Sequence, residues 1–93
     1  MITPQNLVRH ELIGLRVKIA DSSDKKIIGT EGIVVDETRN MLAAEVKNGE
    51  KIFVKDQCVF SFFLPDSGKW VRVDGRVIVG RPEDRIKKKL AKW

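Results

Sequence analysis

Residues 34–42, VVDETRNML, place five polar residues between two apolar runs, and four of them carry charged or amide side chains: Asp36, Glu37, Arg39 and Asn40. Side chains of these types can bind a ligand through charge and hydrogen bonds, and they also stabilise turns by accepting backbone N–H groups. The stretch predicts a tight turn between two strands. It leaves open whether that hairpin is also a binding site.

Residues for catalysis are few. His10 is the only histidine and Cys58 the only thiol, so a serine or cysteine nucleophile with a histidine base would have to use His10. His10 stands among charged residues, which favours a solvated side chain, and Cys58 stands between apolar ones, which favours burial. Carboxylates are adjacent at residues 36–37 and 83–84, but neighbours on a strand point in different directions and the second pair suits the start of a helix. The chain alone is predicted to be non-catalytic, with no metal site and no bound cofactor.

The positive charge is concentrated near the end of the chain. The net charge is +5; residues 1–68 carry nine Lys or Arg against ten Asp or Glu, and residues 69–93 carry nine against three. Concentrated charge of this kind favours a phosphate polymer as partner. A solvated basic face is the alternative.

Short strands must position these groups. The runs LRVKIA, EGIVVDE, MLAAEV, KIFV, CVFSFFL and KWVRVDGRVIV are β-rich, and turn residues fill the gaps between them. Asn48-Gly49 is the clearest hairpin signal. In KWVRVDGR, Arg72 alternates with Val71 and Val73 and should face outwards. The pattern predicts one domain over residues 1–93, mainly β, with a small antiparallel barrel of five or six strands over residues 15–80.

Two short helices are predicted to flank the barrel, an N-terminal one over residues 4–13 and a basic C-terminal one over residues 82–93. Pro4 and Pro82 suit the first turns, and Thr3 can cap the first helix. Their apolar side chains are the least expected to fit inside the barrel. We therefore predict that these side chains bind a partner: Leu7, Leu12, Ile86, Leu90 and Trp93. For the C-terminal helix, packing of its apolar face on its own barrel is equally consistent with the pattern.

The stretch GIVVDETRNML, with Asp36 and Asn40 four apart, resembles the first motif of Sm-like barrels, whose hairpin loop lies beside bound RNA. The resemblance implies that Asn40 meets a base edge and that Asp36 holds the loop. RVIVGRPED partly resembles the second motif, but Gly80-Arg81 stands in the reverse order. That departure argues against a ring-forming, uridine-binding Sm protein.

Across nearly the whole chain, ELIGLRVKIADS, GTEGIVVDETRNML, FVKDQCVFSFFLP and VRVDGRVIVGRPEDRIKKK resemble the archaeal ribonuclease P protein component 1 family, which has a eukaryotic relative. The resemblance implies an Sm-like/SH3-like barrel in a cytoplasmic ribonucleoprotein that removes 5′ leaders from precursor tRNA, with the RNA performing a magnesium-dependent cleavage. The partners it implies are ribonuclease P RNA, the zinc-ribbon subunit component 4, other ribonuclease P protein subunits and, indirectly, precursor tRNA. No membrane contact is expected.

The candidate RNA-binding residues combine the implied turn contact with cations that could form one track along a phosphate backbone. They are Lys25, Lys26, Arg39, Asn40, Arg72, Arg76, Arg81, Arg85 and Lys88. The alternative for Arg72 is an ion pair with Asp74 or with a carboxylate of a neighbouring strand.

Two other functions are weaker. An SH3-like protein-interaction barrel, or one associated with translation, would need an exposed aromatic groove. The chain has no Tyr, and apart from Trp70 and Trp93 its aromatic residues are four Phe in strand-like runs. A nuclease in its own right would need a carboxylate metal cluster, and the adjacent pairs do not provide one.

Overall fold

The computed structural model describes Leu7 and residues 11–80 of the chain. In this part six antiparallel strands form one sheet: β1 (Arg16–Ser22), β2 (Glu31–Glu37), β3 (Met41–Val46), β4 (Gly49–Val54), β5 (Cys58–Leu64) and β6 (Lys69–Asp74). Their order across the sheet is β4-β3-β2-β1-β5-β6. Three short 3-10 helices, Lys25–Ile27, Lys55–Gln57 and Gly75–Ile78, complete the described elements. The predicted mainly β, six-stranded antiparallel fold is confirmed.

Alternation along the strands builds the core on one face of the curved sheet. In β5, CVFSFFL, every second residue from Cys58 to Leu64 is buried. These side chains pack with the inward residues of the other strands, which include Val17, Val34, Leu42, Phe53 and Val73. The expected burial of Cys58 and the inward placement of Val73 are confirmed.

Bulges interrupt two strands and change which side chains face the core. The pairing of β1 with β5 shifts between Ile19 and Asp21, and that of β2 with β3 shifts between Val34 and Asp36. A bulge places two residues of one strand opposite one of its partner, which bends the strand. As a result Val35 and Asp36 are both exposed, and Glu37 returns to the inside.

The two outer strands of the sheet, β4 and β6, are not paired with each other in the described part of the chain. The segments that follow them meet at the β2–β3 turn instead. The Lys55 amide donates to the Asn40 carbonyl at 2.9 Å, and the Gly80 amide donates to the Arg39 carbonyl at 2.7 Å. This turn is therefore the point at which the two ends of the sheet are drawn together.

Gly75 permits the close packing of the second and third 3-10 helices. A Cβ at this position would collide with the Lys55 carbonyl oxygen and would lie 2.7 Å from that of Cys58. Only a residue without a side chain lets the two backbones approach so closely.

The N-terminal segment departs from expectation. Leu7 and Leu12 are fully buried and belong to the core, so the prediction that they lie outside it and bind a partner is wrong. A small barrel has few residues with which to bury its apolar surface, and flanking leucines fill space that the strands leave open. Residues 11–13 are not helical, and the Gly14 amide ties the segment to the Val34 carbonyl at 2.8 Å.

The remaining predicted helical residues, namely the rest of 4–13 and all of 82–93, lie outside the described residues. The predicted hairpin near Asn48-Gly49 is present. Its turn residues are Lys47 and Asn48, since Gly49 already pairs with Val46 as the first residue of β4.

Candidate nucleic-acid interface

The β2–β3 turn holds itself with short local hydrogen bonds. The Thr38 amide donates to the Met41 carbonyl at 2.9 Å, and the Met41 amide donates to Thr38 Oγ1 at 3.2 Å. Asp36 Oδ1 accepts from the Glu37 amide at 2.8 Å. The predicted tight turn is therefore confirmed, with Asp36 and Thr38 accepting its backbone amides, and Arg39 and Asn40 are exposed at its tip.

Lys55 holds the turn from inside the protein. Its fully buried ammonium lies 2.7 Å from Glu37 Oε2 and donates to the carbonyls of Thr38 at 2.7 Å and Gly80 at 2.9 Å. The Arg39 carbonyl lies slightly farther away, at 3.4 Å. A buried charge is tolerated only with such partners, because it has lost its hydration. Glu37 and Lys55 thus hold this loop from within, while Asp36 bonds to the next amide.

Lys55 is not among the residues predicted from the sequence, although its position carries a signal. Phe53 is a core residue of β4, and a residue two positions later on a strand faces the same side. The side chain of Lys55, two residues after Phe53, is therefore expected to point inwards. For Glu37 no comparable signal exists, because strict alternation from Val34 would turn it outwards and only the bulge reverses this.

The backbone contacts fix the position of the two candidate side chains at the turn. The carbonyl of Arg39 accepts from Gly80, and that of Asn40 accepts from the Lys55 amide. Both side chains consequently extend to solvent from a main chain that is held on its inner side. Such a turn presents a cation and an amide at little further loss of conformational freedom, which favours ligand binding.

A second group of candidates borders an open cleft of about 340 Å³, lined among others by Lys25, Asp56, Gln57 and Arg76. Because the Lys55–Gln57 helix also begins at the β2–β3 turn, the cleft and the turn adjoin the same short element. The structure thus brings Lys25 and Arg76 together. Lys26, beside Lys25, is exposed, and its backbone amide donates a hydrogen bond to Asp24 Oδ1.

The cations of the cleft already have acidic partners. Lys25 Nζ lies 3.7 Å from Asp21, and the guanidinium of Arg76 contacts both oxygens of Asp74, the nearest at 2.7 Å. Hydrogen bonds from Arg76 lower the pKa of Asp74 to about 2. Arg76 is therefore a weaker candidate for phosphate than its charge alone suggested.

Arg72 stands apart from this cleft, exposed on the outer face of β6 opposite Ser61 of β5. The predicted outward direction of Arg72 is confirmed. Asp74 has its hydrogen bonds with Arg76, so the alternative in which Asp74 neutralises Arg72 is not observed. The other predicted site residues, Arg81, Arg85, Lys88, Ile86, Leu90 and Trp93, lie outside the described residues.

Two further properties concern the whole described part. Among Leu7 and residues 11–80, no three histidine, cysteine or carboxylate side chains are grouped in a way that could hold a metal ion. Within the same residues, no helix combines the length and the apolar character needed to cross a membrane.

Comparisons with known proteins give the family. Residues 5–88 match the model of ribonuclease P/MRP subunit p29. The chain is 55% identical to ribonuclease P protein component 1 of Methanothermobacter thermautotrophicus, covering 99% of both chains. It is 52% identical to that of Methanosphaera stadtmanae, covering 99% of this chain and 98% of the relative.

A solved structure agrees with these matches. The structure of Mth11, described as a homologue of human RNase P protein Rpp29, superposes with a TM-score of 0.58 at 51% identity, over 83% of this chain and 99% of the other. With 84 residues of family match and close relatives along its whole length, the chain belongs to the ribonuclease P/MRP subunit p29 family, as the archaeal ribonuclease P protein component 1 does.

Proposed function

We propose that this chain acts within ribonuclease P as a non-catalytic RNA-binding subunit that stabilises the RNA, in particular its substrate-specificity region. The observation that carries the proposal is the family match over residues 5–88. As a ribonuclease P subunit, the chain works in a complex that processes tRNA together with ribonuclease P RNA and other protein subunits.

Exposed cations on a rigid scaffold support the RNA-binding role. Arg39 extends from a turn whose carbonyls are held by Lys55, and Arg72 stands outwards on β6. Neutralising phosphates with such groups releases counterions, which supplies affinity without reading sequence. Asn40, beside Arg39, adds an amide that can pair with a base edge.

Cleavage is assigned to the RNA. The described residues contain no cluster that could hold a metal ion, so we propose that the magnesium needed for cleavage binds to the RNA and not to this chain. The protein then contributes by neutralising and orienting RNA segments. Precursor tRNA is contacted through the assembled complex.

We further propose a direct protein partner, the zinc-ribbon subunit component 4, in a cytoplasmic complex. Support for the partner is the spacing of Ile86, Leu90 and Trp93, which would share one face if residues 82–93 form a helix. Leu7 and Leu12 are no longer candidates because the barrel core already buries them.

Reconstitution tests the function. Ribonuclease P RNA with its protein subunits should cleave precursor tRNA less efficiently when this chain is left out, and the purified chain alone should not cleave with or without magnesium. Cleavage by the RNA-free protein would contradict the proposal. In a binding assay, Arg39→Ala with Arg72→Ala should weaken RNA binding and reduce the slope of log affinity against log salt by about two.

The matched control for that assay is Lys47→Ala with Lys51→Ala, at the β3–β4 hairpin. This double variant removes two exposed positive charges, as many as Arg39→Ala with Arg72→Ala does. An equal loss from both pairs would show that RNA binding depends on total charge and not on these positions.

A further inference from the structure

The outer face of β1, β5 and β6 displays two aromatic rings among three cations. We call the set Arg16, Lys18, Phe63, Trp70 and Arg72 the aromatic–cation face. Phe63 is the cross-strand partner of Trp70, with ring centroids 5.3 Å apart. The guanidinium carbon of Arg16 lies 5.4 Å from the centroid of each ring.

Arg16, Phe63 and Trp70 form one row across the strands, and a second row of side chains lies beside it. Lys18 pairs with Ser61, and Ser61 pairs with Arg72, so two cations flank a small hydroxyl side chain. Residues two apart on a strand are about 6.7 Å apart. The rings and the Lys18–Arg72 row are therefore separated by roughly the distance between successive nucleotides in an extended single-stranded nucleic acid.

Strand alternation explains why these residues face solvent. Val17, Phe62 and Val71 point into the protein, so their neighbours Arg16, Phe63 and Trp70 point out. Trp70 remains 40% exposed and the Arg16 side chain 52% exposed. The indole is not needed to fill the core, and a large exposed aromatic ring beside cations is typical of a binding surface.

The charge of this face favours a polyanion. Among the described residues, the carboxylate in contact with the face is Glu31, 3.5 Å from Arg16. The next row along the strands carries Asp21 and Asp74, but each of these has its own cation, Lys25 or Arg76. The first two rows thus keep an excess of positive charge.

We propose that the aromatic–cation face binds an unpaired segment of RNA, with bases stacked on Trp70 and Phe63 and phosphates held by Lys18 and Arg72. This rests on the proposed RNA-binding function and adds the site and the class of RNA. A base within a duplex has both faces covered, so only an unpaired nucleotide can stack on Trp70. A proline-rich peptide could use the rings, but it would leave the three cations without a partner.

Tryptophan fluorescence provides a direct test. In the full chain carrying Trp93→Phe, the signal comes from Trp70 alone. We expect an oligouridine of about eight nucleotides, a usual site size for a small barrel, to quench it, and a duplex RNA of equal length to leave it nearly unchanged. Quenching by the duplex alone, or by a proline-rich peptide and not by RNA, would overturn the proposal.

Affinity measurements with labelled RNA give the second readout. Trp70→Leu should weaken oligouridine binding by about tenfold, and Trp70→Phe should restore most of it because the stacking surface returns. Lys18→Gln should reduce the salt slope by about one. The control is Ile52→Thr, at an exposed apolar residue on β4, which should bind as the wild type does.

The same measurements separate this inference from the proposed function. If the wild type binds ribonuclease P RNA but Trp70→Leu binds oligouridine equally well, the stacking face is wrong and the RNA-binding function stands. If the wild type binds neither RNA, both are wrong. A loss in Trp70→Leu that Trp70→Phe does not restore, with a lowered unfolding temperature in both, would show a structural role and overturn the proposal.

Discussion

The Nζ atom of Lys55 lies 2.7 Å from Oε2 of Glu37, and both side chains are completely buried. The same ammonium bonds the carbonyls of Thr38 and Gly80, so one side chain joins the β2–β3 turn to the segment after the last 3-10 helix. Buried ion pairs are often no more stabilising than apolar residues of equal volume. We therefore infer that Lys55 fixes the conformation of the turn that presents Arg39 and Asn40.

Removing the ammonium should be costly. Lys55→Met would leave the Glu37 carboxylate and the turn carbonyls facing an apolar side chain, and we expect the free energy of unfolding to fall by roughly 3–5 kcal/mol. Urea denaturation measures this. The control Lys51→Met removes an exposed lysine of β4 and should change stability by no more than about 0.5 kcal/mol. Equal effects of the two variants would contradict the role of Lys55.

Gly75 should tolerate no side chain. Gly75→Ala forces a methyl group against the Lys55 and Cys58 carbonyls, both of which are backbone and cannot rotate away. We expect a loss of about 1–3 kcal/mol or more, as for other overpacked sites. Gly29→Ala is the comparison, because open space surrounds it and only its positive φ of 90° causes strain. Thermal unfolding should rank Gly75→Ala as the more damaging substitution.

The Asp74–Arg76 pair gives a pH-dependent signal. Arg76 holds the pKa of Asp74 at about 2, below the ordinary value of 3.8. Because the pKa is lower in the folded state, the pair contributes stability above about pH 4, and this contribution disappears as the pH falls towards 2. Carboxyl NMR of Arg76→Gln should show the pKa of Asp74 raised towards its ordinary value, with a part of the lowering kept because the backbone amide of residue 76 still donates to Asp74 Oδ1. A pKa that stays near 2 in that variant would mean that Arg76 is not the cause.

Cys58 should be chemically protected. Burial raises its pKa, while a hydrogen bond to Ser22 Oγ, at 3.7 Å, acts in the opposite direction. A thiol that is both buried and protonated reacts slowly, since the thiolate is the nucleophile. We expect a thiol reagent at neutral pH to label Cys58 much faster in denaturant than in the native protein. Equal rates would contradict the burial.

Features that depend on local sequence patterns were predictable from the sequence. Alternation around Arg72 is a local property, and it correctly turned Arg72 outwards and Val73 inwards; the apolar neighbours of Cys58 likewise indicated its burial. The position of Leu12 depends on how a flanking segment meets the sheet, which no local pattern encodes. The Glu37–Lys55 contact requires a bulge and a pairing across 18 positions.

The aromatic–cation face was missed for a different reason. The sequence places Arg16 and Lys18 on one predicted strand and Trp70 on another. Only the register of β1, β5 and β6 reveals that they are neighbours. Asp74 likewise could pair with either of two nearby arginines, and side-chain geometry selected Arg76.

The β2–β3 turn should allow binding and stability to be separated. Arg39→Ala and Asn40→Ala remove exposed side chains but keep the carbonyls that bond Gly80 and Lys55. We expect weaker binding of ribonuclease P RNA, a salt slope reduced by about one for Arg39→Ala, and an unchanged unfolding temperature. Lys55→Met should lose both properties, because the turn itself is then no longer held. Filter binding at several salt concentrations, with Lys47→Ala at the β3–β4 turn as the control, measures the first effect. If Arg39→Ala lowers the unfolding temperature as Lys55→Met does, the exposed turn residues serve the fold and the RNA is bound elsewhere.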